Sequence, residues 1–128
     1  MIELKQLTKR YGDRTAVDRL DLTIQSGELF GLLGPNGAGK TTMIRMLTTL
    51  TQITAGVANI NGLALPKDEK AIKALLGIVP QHFNLDPDLS VVENLNLHGQ
   101  LHHMSGAERR MRIAELLEYV ELTDSIND

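Results

Sequence analysis

A chain of 128 residues with net charge −3 and 42% hydrophobic residues has the length of one domain, or part of one, and enough apolar content for a core. Two Phe, two Tyr and no Trp make that core aliphatic, the lack of Cys excludes disulfides and thiolate metal sites, and the acidic balance offers no broad basic field for nucleic acid. No apolar run approaches the roughly eighteen residues of a membrane span and no signal-peptide core opens the chain, so a soluble, cytoplasmic protein is expected.

Residues 2–8 alternate imperfectly and read as a first strand. Tyr11-Gly12-Asp13 is a turn, and Leu20 to Gln25 then alternates cleanly, as a half-exposed antiparallel strand does. Ser26-Gly27 breaks it. Leu29-Phe30-Gly31-Leu32-Leu33 is almost wholly apolar, which predicts a parallel-type strand buried on both faces.

Gly34-Pro35-Asn36-Gly37-Ala38-Gly39-Lys40-Thr41 fits G-x-x-x-x-G-K-[ST], the phosphate-binding P-loop. Its glycines let the backbone turn tightly and bring N–H groups up to a phosphate. Such a loop opens onto a helix N-terminus, whose orphan N–H groups and positive dipole end favour an anion. Lys40 would reach the terminal phosphates as a mobile charge, and the Thr41 hydroxyl would ligate Mg²⁺. Met43, Ile44, Met46, Leu47 and Leu50 follow at helical spacing, so strand, loop and helix come in the order that sets this motif apart from a chance glycine turn.

Farther on, Val57–Ile60 and Leu63–Leu65 flank Asn61-Gly62, a hairpin signal. Residues 67–76 read as a short amphipathic helix with Pro66 near its first turn, and residues 77–80 as a short apolar strand leading into Gln81. Ser90 would cap a helix over 91–103 with Glu93 at capping-box spacing, and Ser105 with Glu108 would cap a last helix to about Val120. On that helix Met111, Ala114, Leu117 and Val120 form the expected apolar face, with Glu108, Arg109, Arg112 and Glu115 largely opposite. His98, His102 and His103 have a spacing that could hold zinc, but Glu does not follow His98 and a solvated helix face is the better reading. Asp86, Asp88 and Glu93 suit turn and capping roles rather than a carboxylate pair.

From residue 2 to its end the chain resembles the ATP-binding subunit of an ABC transporter, and the loop with Thr42 is similar to that family's Walker A in nearly every letter. The resemblance implies an α/β P-loop NTPase with an N-terminal antiparallel β layer. The β layer and P-loop core would span about 1–81, and the start of a helical subdomain about 82–128. It implies Tyr11 stacked on adenine, with the phosphates held by Gly34, Asn36, Gly37, Ala38, Gly39, Lys40, Thr41 and Thr42. Gln81 would stand beside Lys40 as a catalytic residue and beside Thr41 at Mg²⁺; an amide suits this because it both donates and accepts. The implied cofactors are ATP and Mg²⁺. The implied partners are a transmembrane permease subunit and a second nucleotide-binding domain, on the inner face of the cell membrane, with no nucleic acid. The wording around 77–104 resembles the drug- and polysaccharide-exporting branch.

Against that pattern the sequence holds no Leu-Ser-Gly-Gly signature, no Walker B strand ending in Asp-Glu and no switch histidine; Met104-Ser105-Gly106-Ala107 comes too early and reads as a helix cap. The chain is therefore expected to be the N-terminal half of a nucleotide-binding domain, binding nucleotide better than it cleaves it. Residues 29–33 would have open apolar edges and invite self-association. Two other readings remain at this level. A half-domain of a DNA-repair or chromosome-type ATPase would need a heptad run that the last helix lacks. A nucleotide-dependent binding switch would need no turnover at all.

Overall fold

The structure, a computed structural model, describes residues 1–79 and 85–123. The chain divides into two compact units, Met1–Val79 and Pro80–Asp128.

The first unit is built on a four-stranded antiparallel sheet of β1 (Ile2–Tyr11), β2 (Arg14–Ile24), β3 (Ala55–Ile60) and β4 (Leu63–Leu65), in the order β2-β1-β3-β4. The long β1–β2 pairing ends with Tyr11 opposite Arg14 across Gly12-Asp13. Asn61 (φ 49) and Gly62 (φ 82) both take positive φ between β3 and β4, the backbone of a tight two-residue hairpin turn. Helix α1 (Lys40–Leu47) and α2 (Glu69–Leu75) complete the unit. Leu4, Leu7, Val17, Ala58 and Ile60 from the sheet meet Met43, Met46 and Leu47 of α1 and Ile72 of α2 in one core. It is aliphatic throughout, and each fully buried side chain such as Leu7 or Met46 contributes about 1.5–3 kcal/mol.

Three expectations for this unit are corrected. Residues 29–33 are not a strand: Leu29 and Leu33 are fully exposed, and only Leu32 packs on the core. A buried parallel strand exists only where neighbours take its N–H and C=O groups, and every strand pairing among the described residues is antiparallel within the other four strands. Residues 77–79 likewise form no strand, with Val79 open to solvent; residue 80 lies outside the described residues. In α1 the buried stripe is Met43, Met46 and Leu47, while Ile44 is half exposed within the helix and Leu50 lies exposed beyond its end at Leu47.

The second unit holds α3 (Val91–Leu101) and α4 (Gly106–Tyr119), each opened by a complete capping box. The Ser90 and Ser105 hydroxyls accept from the N–H groups of Glu93 and Glu108, and those carboxylates accept from the N–H groups of the two serines. The Ser90 backbone N–H, then its hydroxyl, holds the Glu93 carboxyl below its ordinary pKa. Ser105 does the same to Glu108, through its side chain first and its backbone second. Helix α3 ends at Leu101, short of the expected residue 103. Buried Asn94 pins the preceding loop by donating to the carbonyls of Asp86, Leu89 and Ser90 and accepting from the Asp86 N–H. Asp86 also accepts from the Asp88 N–H, a turn role.

The expected apolar face of α4 is also corrected. Met111, Ala114 and Val120 are exposed, and the covered positions are Arg109, Ile113 and Leu117. Arg109 leaves the charged side because its guanidinium donates to Asn96 Oδ1 (2.8 Å) on α3 and to the Met104 carbonyl (2.7 Å). Gly99 leaves room for it: a Cβ there would lie 2.7 Å from Arg109 Cδ.

Candidate functional site

The site lies at the N-terminus of α1. Residues 34–39 approach the helix without regular structure, and Gly39 forms the N-cap at φ 84, ψ −1. No side chain caps this helix and no acidic residue occupies its first turn. The first intrahelical bond runs from the Met43 N–H to the Gly39 carbonyl, so the N–H groups ahead of it have no acceptor within the helix. Gly39 is required twice over. Its φ lies in the left-handed region, and a Cβ would stand 2.4 Å from the Ala16 carbonyl oxygen and 3.1 Å from Val17 Cγ2. The loop is thus seated directly on β2.

Tyr11 and Asn36, Gly37, Ala38, Gly39, Lys40, Thr41 and Thr42 line one cavity of about 400 Å³, together with Arg14 and Ala16. The hairpin delivers Tyr11 from the end of β1, and the seating of Gly39 on Ala16 sets the loop beside it. Gly34 stands apart from the lining; its carbonyl, with that of Pro35 (2.8 Å), accepts from the Lys40 ammonium. That contact folds Lys40 back over its own loop. Gln81 lies outside the described residues.

Arg14 is the feature that the sequence reading missed. It lines the cavity and is exposed, and its side chain makes no hydrogen bond or ion pair among the described residues. Its signal was the two-residue turn after Tyr11, which sets residue 14 opposite residue 11.

Chemically the cavity offers an aromatic ring with Arg14 paired opposite it across the hairpin, and the backbone N–H groups of the loop with Lys40. This arrangement fits a flat base joined to a polyphosphate. The aliphatic side-chain hydroxyls of its lining come from Thr41 and Thr42. Among the described residues no group of three or more His, Asp or Glu could hold a metal ion by itself.

A glycine loop opening onto a helix beside an antiparallel layer defines the chain as part of a P-loop NTPase fold. The family model described as ABC transporter matches residues 17–128, and the chain belongs to that family. It is 44% identical over 122 residues to a Nod factor export ATP-binding protein I of Cupriavidus metallidurans, covering 95% of this chain and 40% of that protein. A daunorubicin resistance ATP-binding protein of Streptomyces coeruleorubidus is 40% identical over 124 residues, with 97% of this chain and 38% of that protein covered. Among solved structures, an ATP-binding cassette determined as a dimer in a post-hydrolysis state with ADP and Pi matches 99% of this chain and 60% of its own length, at 33% identity and TM-score 0.77. The ATP-binding subunit of an ABC transporter matches 99% and 53%, at 27% identity and TM-score 0.80. The chain thus spans about two fifths of the length of the curated relatives it matches.

Proposed function

We propose that this chain is the nucleotide-gripping part of an ATPase that powers an ABC exporter. The observation that carries the reading is the single cavity that joins Tyr11 to residues 36–42 at the α1 N-terminus. Tyr11 stacks on adenine, and the backbone of Gly37, Ala38 and Gly39 with the first turn of α1 receives the phosphates. Lys40 would turn from the Gly34 and Pro35 carbonyls to the terminal phosphates, Thr41 would hold Mg²⁺ and Thr42 would add a hydroxyl. Asn36 and Gly34 shape the loop. Gln81, which lies outside the described residues, would serve the γ-phosphate and its Mg²⁺. When bound, Mg²⁺ would neutralise phosphate charge, and these residues would bind and orient the nucleotide.

The relatives named for Nod factor export and daunorubicin resistance support an exporting role, and the dimeric cassette supports pairing with a second nucleotide-binding domain. Two bound ATPs would hold such a pair closed, and the closure would drive a transmembrane permease between its access states. Work of that kind places the protein on the cytoplasmic face of the membrane.

Lys40→Ala tests the site. It removes a charge-assisted contact worth roughly 1.5–3 kcal/mol, so Mg·ATP affinity falls at least about tenfold by calorimetric titration. The bonds that Lys40 gives up on binding put the result toward the lower end. An unchanged titration in a folded variant would sink the assignment.

A further inference from the structure

Tyr11 does not stand alone at the cavity. The Lys9 ammonium lies 4.8 Å from the centroid of its ring, within the roughly 6 Å at which a cation is attracted by an aromatic face. The same ammonium donates to the Gln52 carbonyl oxygen at 2.7 Å, so the segment between α1 and β3 tethers it. Tyr11 lines the cavity and Lys9 does not.

We propose that Lys9 is a positioning residue for base recognition: held by Gln52, its ammonium covers one face of Tyr11 and leaves the other face turned to the purine of the nucleotide. The inference rests on the stacking reading of Tyr11 given above. The physical need is plain. Tyr11 is the last residue of β1, beside a turn, and its ring is half exposed, so packing alone leaves it room to swing. A cation fixed against one face removes that freedom before the ligand arrives, which lowers the ordering cost of binding. It also draws electron density from the ring and makes the opposite face a better partner for an electron-rich purine. Arg14, across the hairpin, is free of this duty and remains available to the phosphates or ribose.

The test compares ATP with inorganic tripolyphosphate, which carries the charge without the base, on the full chain. Lys9→Met keeps the aliphatic stem and removes the cation. The dissociation constant for ATP should rise about two- to fivefold, the equivalent of one exposed cation–π contact, while that for tripolyphosphate stays unchanged. Lys9→Arg, which keeps a cation able to lie on the ring, should restore ATP binding. In a Tyr11→Ala background Lys9→Met should cost nothing further. Equal losses for both ligands would overturn the proposal and make Lys9 a phosphate-steering charge. So would an unchanged ATP titration in Lys9→Met, or an undiminished loss without Tyr11. Tyr11→Ala by itself tests the underlying reading: if it leaves ATP affinity intact, base stacking fails and the role of Lys9 falls with it. If Tyr11→Ala weakens ATP and Lys9→Met does not, the positioning role alone is refuted.

Discussion

Gly37 and Gly39 differ by two positions and by little in backbone angle, with φ of 87 and 84, yet the structure assigns them unequal burdens. Alanine at Gly37 meets nothing within 4 Å, so its cost is the left-handed conformation, about 1–2 kcal/mol. Alanine at Gly39 carries the same cost and also drives its methyl to 2.4 Å from the Ala16 carbonyl oxygen. That atom is backbone within β2 and cannot swing aside. The loop must lift or the strand must bend, an overpacking penalty of about 1–3 kcal/mol. In thermal melts of the apo protein followed by circular dichroism, Gly39→Ala should therefore unfold about 4–12 °C below Gly37→Ala. Mg·ATP titration should show that Gly39→Ala has lost binding, because lifting the loop pulls its N–H groups away from Tyr11. Equal melting temperatures would refute the claim that the loop is seated on β2, and with it the explanation of how the cavity is assembled.

Two further outcomes concern the helical unit. Gly99→Ala should gain about 1 kcal/mol of helix propensity, but it also displaces the Arg109 stem and its two hydrogen bonds, worth about 1.5–3 kcal/mol each, so the variant should melt earlier than the parent. In an Arg109→Ala background the sign should reverse and Gly99→Ala should stabilise; destabilisation in both backgrounds would disprove the clash. Acid should weaken the same unit, since Glu93 and Glu108 have folded pKa values lowered beneath their ordinary 4.5. A depressed carboxylate contributes stability above the unfolded value and loses it as pH falls through the folded one, so the loss begins below about pH 4.5. Glu93→Gln with Glu108→Gln keeps both boxes and removes the titration, and circular dichroism across pH 2–6 should show a flatter profile, with pH 2–6 chosen as roughly bracketing the carboxylate range. An unchanged acid transition in the double variant would place its cause elsewhere.

What was legible in the sequence was local. The Asn61-Gly62 turn, the two serine boxes and the glycine loop entering a helix each need only a few consecutive residues to reach their geometry, and each formed where it was read. What failed depended on a distant partner. Leu29–Leu33 has the composition of a buried strand, yet a strand is a relation between two segments, and apolar side chains alone do not pair a backbone. The same limit hid Arg14 and Ala16 of the cavity lining, and Lys9 behind Tyr11: they carry no motif, and they matter because β1 and β2 pair in a register that ends at Tyr11 and Arg14. Arg109 shows how packing corrects a misleading signal. An arginine on α4 reads as solvated charge, but Gly99 on α3 is the space through which it crosses to Asn96. Neither residue has that meaning until the helices are packed. A glycine at helical spacing opposite a long cation on the next helix is therefore better read as a crossing point than as two separate surface features.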